Sequence, residues 1–220
     1  MIHQLLAMAA VGGWLALLAA LALAVRARWP QEREWSRKLV HIGAGAVLPI
    51  AWATGIERAI AVPSAALVTL LALLNHRRRV LPAIEDIDRP SYGTVGYGAS
   101  ITVLLWVGWP EQAAAVCAGV LVMALGDGLA GLIGPMRESP SWVVLGQRRS
   151  LLGTGVMALA SLAALAGLAV VCRALGIPAP AAGGLVAIAA SAVLLEQVAI
   201  GGLDNLTVPL AAAALWWWLA

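Results

Sequence analysis

Residues 4–25 read QLLAMAAVGGWLALLAALALAV, an unbroken run without a charged side chain, and Arg26 and Arg28 follow at once. At about 1.5 Å per residue a helix of this length reaches across the roughly 30 Å hydrocarbon core of a bilayer. The run is too long for the apolar core of a secretory signal, and its basic residues come after it instead of before it. It is therefore expected to persist as a mature helix with the N-terminus outside.

Seven further apolar runs follow: Leu39–Ala53, Ala59–Leu74, Thr94–Gly108, Gln112–Ile133, Leu151–Cys172, Gly184–Ile200 and Asn205–Leu219. Of the 220 residues 62% are hydrophobic and 11% charged. A soluble domain carries about 25% charged residues, so this chain lacks the charge to clothe a soluble surface. The mean hydropathy of +0.91 agrees. Ten Trp and no Phe agree as well, since the Trp ring suits the headgroup boundary. The expected fold class is all-α, a polytopic transmembrane helix bundle of about eight spans forming one integral membrane domain over residues 1–220, with N- and C-termini outside.

Charge orients the bundle. A net charge of +3 on a soluble face would point to nucleic acid. Here the basic residues lie in short loops between apolar runs, where they mark the cytoplasmic side, and nucleic acid is excluded as a partner. With eight spans the inner loops hold Arg26, Arg28, Arg33, Arg37, Lys38, Arg77, Arg78, Arg79, Arg89, Arg137, Arg148 and Arg149, which leaves only Arg58 and Arg173 outside. Arg77, Arg78 and Arg79 read as anchors for anionic membrane lipids. Cys117 and Cys172 sit inside apolar runs without ligand spacing and are expected to be small core residues.

An ionised carboxylate in hydrocarbon is costly, and three acids fall within or at the edge of apolar runs. Asp127 stands in Ala-Leu-Gly-Asp-Gly-Leu-Ala-Gly, where small neighbours admit another backbone or a phosphate, or where the acid simply bridges helices. Glu196 and Asp204 meet at the turn Glu-Gln-Val-Ala-Ile-Gly-Gly-Leu-Asp-Asn. Asp204 there is either a helix N-cap or, with Glu196, a ligand for Mg²⁺, which one or two carboxylates and substrate phosphates normally hold.

Cations face these acids. In Ser36-Arg37-Lys38-Leu39-Val40-His41, helical spacing sets Arg37 and Lys38 on the face of His41. His41 is open to two readings, catalytic or packing. Gly146-Gln147-Arg148-Arg149-Ser150, with Gly153 and Thr154 beyond, joins guanidinium groups and a hydroxyl to a helix N-terminus, a combination suited to phosphate. The stretch Tyr92–Gly98 holds both tyrosines and several glycines, consistent with close approach of a ligand or of another helix.

In order, Arg-Lys-x-x-His, Gly-Asp-x-x-Ala, basic-Ser-x-x-Gly and a late Glu followed by Asp-Asn resemble the CTP-dependent polyprenol kinases, the group of dolichol kinase and phytol kinase. The resemblance runs from about Ser36 to Pro209. It matches Arg37, Lys38 and His41, then Gly126, Asp127 and Ala130, then Ser150 and Gly153, and finally Glu196, Asp204, Asn205 and Pro209. Arg149 stands where the family usually has Lys, and Leu152 where it usually has Glu. The resemblance implies a membrane-embedded kinase, in a bacterial plasma or thylakoid-type membrane, that moves the γ-phosphoryl of CTP, or of another nucleoside triphosphate, to the hydroxyl of an isoprenoid alcohol such as phytol, geranylgeraniol or dolichol. On that reading Asp127, Glu196 and Asp204 hold Mg²⁺, and Arg37, Arg148, Arg149, Ser150, Gly153 and Asn205 bind nucleotide and phosphate. Lys38 offsets charge on the transferring group, and Asp127 or His41 takes the proton. The active site faces the cytoplasm, where nucleotide arrives from water.

Two other functions use similar residues. A CTP-dependent cytidylyltransferase acting on a lipid phosphate also needs magnesium, cations and membrane acids. A small secondary transporter also carries intramembrane acids, although no pair of broken helices recurs in two halves of this chain.

Overall fold

The computed structural model describes residues 2–78 and 92–220; Arg79 and Arg89 of the inner-loop set lie outside the described residues. The described residues are mostly helical. The described helices are α1 (Ile2–Arg28), α2 (Arg33–Ala44), α3 (Val47–Ala53), α4 (Arg58–Arg78), α5 (Gly93–Gly108), α6 (the continuous run Ala113–Met136), α7 (Leu151–Ala174), α8 (Ala182–Val198) and α9 (Asp204–Leu219). Each expected apolar run is a helix, with one difference: the run Leu39–Ala53 is split between α2 and α3. At that break the N–H groups of Gly45 and Ala46 bond to the carbonyls three residues back, Ile42 and Gly43. A Cβ on Gly45 would run into Ala124, so the break sits where the end of α2 presses on α6.

Four helices, α1, α4, α6 and α7, are long and apolar enough to cross a membrane. Their surroundings differ. More than half of the α6 window is buried, whereas only 6% of the α4 window is, and Leu67, Val68, Leu70 and Leu71 all face outward. A leucine face of that size open to the surroundings is membrane-helix character, since water would not support it. Helix α6 is the axis of the core, with every residue from Ala113 to Val120 buried. It packs along α9 and α7; α5 joins α4 to α9, and α8 lies along both α7 and α9. Small side chains make this closeness possible: a Cβ on Gly119 would strike the Pro209 carbonyl of α9. Cys117 and Cys172 are buried and free, as expected.

Two local features depart from a plain bundle. Within α6, residues Val122–Asp127 form a π-helical turn, wider than the α-helix on either side. Before α7, the segment expected to be a loop is an antiparallel hairpin, β1 (Ser141–Val144) with β2 (Gln147–Ser150). Its turn residues Leu145 and Gly146 both have positive φ, 49° and 77°, which a two-residue hairpin turn requires. Glycine at the second position removes half of the steric cost.

Candidate active site

The N-terminal ends of α2, α7 and α9 and the C-terminal ends of α6 and α8 converge at one end of the bundle. Together with the hairpin they enclose a cavity of about 910 Å³. Lys38, Asp127, Arg149, Glu196 and Asp204 all line it, as do Arg37, Arg148, Ser150 and Gly153. Residues from opposite ends of the sequence thus share one space. The cavity lies within the range of roughly 300–1,000 Å³ common for small-molecule sites.

The π turn organises the acid at its centre. A π turn displaces the regular ladder of backbone hydrogen bonds, which makes its carbonyls accessible to side chains. His41 Nε2 lies 3.1 Å from the Met123 carbonyl, and Lys38 Nζ donates to the Asp127 carbonyl at 3.1 Å. The same ammonium donates to Asp127 Oδ2 at 2.9 Å, and His41 Nε2 lies 3.3 Å from that oxygen. The Met123 carbonyl and the Asp127 carboxylate can only accept, so Nε2 of His41 carries a proton. One turn beyond, Gly131 leaves the path open for the Lys38 side chain, because a Cβ there would strike Cε and Nζ. Arg37, expected on the same face, pairs with Glu34 at 2.6 Å, both at the cavity lining.

The hairpin carries the second cluster. Arg149 pairs with the Glu196 carboxylate, donates to the Glu196 carbonyl, and reaches the Ala199 carbonyl at 3.1 Å. It thereby caps the C-terminus of α8, where exposed carbonyls favour a cation. Gln197 extends the clasp: it accepts from Trp142 Nε1 at 3.1 Å and donates to Thr154 Oγ1 at 3.1 Å. Arg148 instead remains exposed in the cavity wall, with Nε donating to Ser141 at 3.2 Å. Ser150 is the N-cap of α7, its Oγ accepting from the Gly153 N–H at 3.1 Å. Gly153 faces Gly134, and the pair lets α6 and α7 meet at the cavity floor.

Asp204 begins α9 after the positive-φ pair Gly201 and Gly202. Its Oδ1 accepts from the backbone N–H and the side-chain amide of Asn205, both at 3.1 Å. Of the three site acids, Asp204 alone has no described cation within ion-pair distance. Asn205 sits behind it, buried near Gly96 of α5, and is not part of the lining; nor is His41. Among the described residues no group of three or more His, Cys, Asp or Glu side chains is gathered closely enough to hold a metal ion by itself. Asp127 and Glu196 spend oxygens on cations, which leaves Asp204 as the freest hard ligand.

Glu34, Arg137 and Glu138 also line the cavity and were not foreseen as site residues. Glu34 lies three residues before Arg37, and Arg137 and Glu138 lie between the Asp127 and Arg149 motifs. Leu152, at the family's usual Glu position, is outside the lining, and its N–H donates to Ser139 Oγ at 3.3 Å.

The chain is 38% identical over 188 residues to the phytol kinase of Synechocystis sp., an alignment that covers 84% of this chain and 78% of that enzyme. The chain belongs to the phytol kinase-like polyprenol kinase family. It is a kinase. No family model matches the chain, and no solved structure does. Each of the motifs that carried the resemblance contributes residues to the one cavity: the α2 cations, Asp127, the hairpin arginines and the Glu196/Asp204 turn.

Proposed function

We propose that this kinase transfers the γ-phosphoryl group of CTP to the hydroxyl of a long isoprenoid alcohol, phytol being the first to test. One observation carries the reading: Lys38, Asp127, Arg149 and Asp204, drawn from four separate segments, line a single cavity. That cavity offers five cations and five acids, the balance needed to bind a triphosphate and the divalent ion that accompanies it. The apolar helices support a membrane-embedded enzyme. With all eight predicted segments crossing the membrane and both termini outside, the cavity opens to the cytoplasm, while the alcohol's isoprenoid chain stays in lipid.

In phosphoryl transfer the protein positions reactants and neutralises charge. Arg148 lies exposed in the wall and is the readiest ligand for the outer phosphates. Lys38, held over Gly131, meets charge on the transferring group. The alcohol oxygen attacks the γ-phosphorus, the bond to the β-phosphate oxygen breaks, and nucleoside diphosphate leaves. The hydroxyl proton passes to the Asp127 carboxylate, which is oriented by Lys38 and by the protonated Nε2 of His41. The residues fit Mg²⁺ on the ordinary pattern of one or two carboxylates plus substrate phosphates, with Asp204 as the first ligand and Asp127 as the second. When bound, the ion would offset charge on the phosphate oxygens. Glu196, committed to Arg149, shapes the wall instead.

Purified protein in lipid nanodiscs, supplied with CTP, Mg²⁺ and phytol, geranylgeraniol or dolichol, is expected to yield a phosphorylated alcohol and CDP. Release of pyrophosphate instead would identify a cytidylyltransferase, and absence of any phosphorylated alcohol across the panel would refute the reading.

A further inference from the structure

We propose that Tyr97 binds the acceptor alcohol, its phenolic hydroxyl pairing with the hydroxyl that receives the phosphoryl group. The inference rests on the kinase reading above and adds a residue to it. Tyr97 is 6% exposed, and among the described residues no group lies within hydrogen-bonding reach of its Oη. A buried hydroxyl without a partner carries an uncompensated desolvation cost and calls for an explanation. Its surroundings supply one. The Tyr97 ring lies against that of His41, centroids 4.6 Å apart, and His41 Nε2 is 3.3 Å from Asp127 Oδ2. The orphan hydroxyl therefore belongs to the residues packed around the proposed proton acceptor.

The placement is enforced by the neighbours of Tyr97. A Cβ on Gly98 would come within 2.8 Å of Thr69 on α4, and one on Gly96 would lie 3.5 Å from the Gly202 carbonyl at the turn before α9. Gly98 lets α5 close on α4, and at Gly96 the turn before α9 lies in ordinary contact with α5. Neither Tyr97 nor His41 lines the polar cavity. Asp127 thus has the cavity, with its phosphate-binding cations, as one neighbour and the His41–Tyr97 pair as another. In-line transfer needs the donor and acceptor oxygens on different sides of the phosphorus, and a hydroxyl donor beyond the cavity lining is suited to the acceptor.

The test is Tyr97→Phe, which removes one oxygen and keeps the ring against His41. Wild type and variant, purified in nanodiscs, are compared in phytol phosphorylation with alcohol and CTP varied separately, and in thermal unfolding without substrates. The expected result is a fall of about tenfold in kcat/KM for the alcohol, the scale of one lost hydrogen bond. KM for CTP should stay within about twofold, and the substrate-free midpoint should stay equal or rise, because the hydroxyl has no partner to lose. Unchanged alcohol kinetics would overturn the proposal. A lowered midpoint, or an equal loss toward CTP, would mark the hydroxyl as structural and overturn it too. If wild type phosphorylates no alcohol, the kinase reading falls and takes this inference with it, an outcome distinct from a failure of Tyr97→Phe alone.

Discussion

Lys38 Nζ donates to two oxygens of one residue, the carboxylate of Asp127 at 2.9 Å and its main-chain carbonyl at 3.1 Å. A single ammonium thus fixes both the charge and the backbone of the central acid. The two side chains are 7% and 17% exposed, a mostly buried pair. Breaking such a pair from one side leaves an uncompensated charge, at a cost of about 3–5 kcal/mol. Lys38→Met should therefore lower the thermal midpoint in detergent and reduce kcat at least about a hundredfold. The double variant Lys38→Met/Asp127→Asn should recover the midpoint and not the activity. Recovery of both would show that the pair is structural only.

Gly131 gives a gentler test of the same contact. Ala at this position places a methyl group where Lys38 Cε and Nζ run, so the ammonium must move off Asp127. Activity should drop about 10- to 100-fold, with a smaller loss of stability than Lys38→Met because the ammonium is displaced and not removed, since misplacement of a charged group by 1 Å is enough for such a loss. Gly12→Ala, where a Cβ meets nothing within 4 Å, is the control and should match wild type in a steady-state assay.

Arg149 holds three acceptors at the end of α8. Lys cannot reproduce that planar fork. Arg149→Lys is expected to lose about 1–2 kcal/mol of stability, seen as faster proteolysis within Ser141–Ser150, yet to keep measurable turnover because a cation remains at the cavity wall. Arg149→Met should lose turnover as well. Equal activity in both variants would remove Arg149 from phosphate binding.

The role assigned to Asp204 predicts metal behaviour. Chelation by EDTA should abolish transfer, and added Mg²⁺ should restore it. Asp204→Asn should raise the Mg²⁺ concentration for half-maximal rate about tenfold or more, with KM for the alcohol unchanged. A Mg²⁺ titration that overlays on wild type would assign Asp204 to capping α9 alone.

The helices were legible because burial in an apolar medium needs length and hydrophobicity, both countable along Gln4–Val25 or Leu151–Cys172. The convergence of Asp127, Arg149 and Asp204 was legible because charge tolerated at one end of apolar runs has few places to go. The π turn was not: Val-Met-Ala-Leu-Gly-Asp carries no composition that separates a wide turn from an ordinary one. The hairpin was missed because its turn is Leu-Gly, without the Asn or Asp that usually marks positive φ, although Trp142, Val143 and Val144 favour strand. Partner choice was also out of reach. Arg37 pairs with Glu34 and Arg149 with the end of α8 through geometry that no spacing rule contains, and Tyr97 stood in a stretch where glycines drew the attention.

The wide turn at Val122–Asp127 also divides α6 into halves that answer to different demands. An α-helix advances about 100° per residue, so one residue more in the circumference rotates everything beyond it. The half before the turn keeps the phase that seats Gly119 on Pro209, and the turn itself ends at Asp127, whose carboxylate meets Lys38. Deleting a single residue between 122 and 127 would make a smoother helix and swing the carboxylate to another face. The irregularity lets one rod serve as keel of the bundle at one end and bearer of the cavity's central acid at the other.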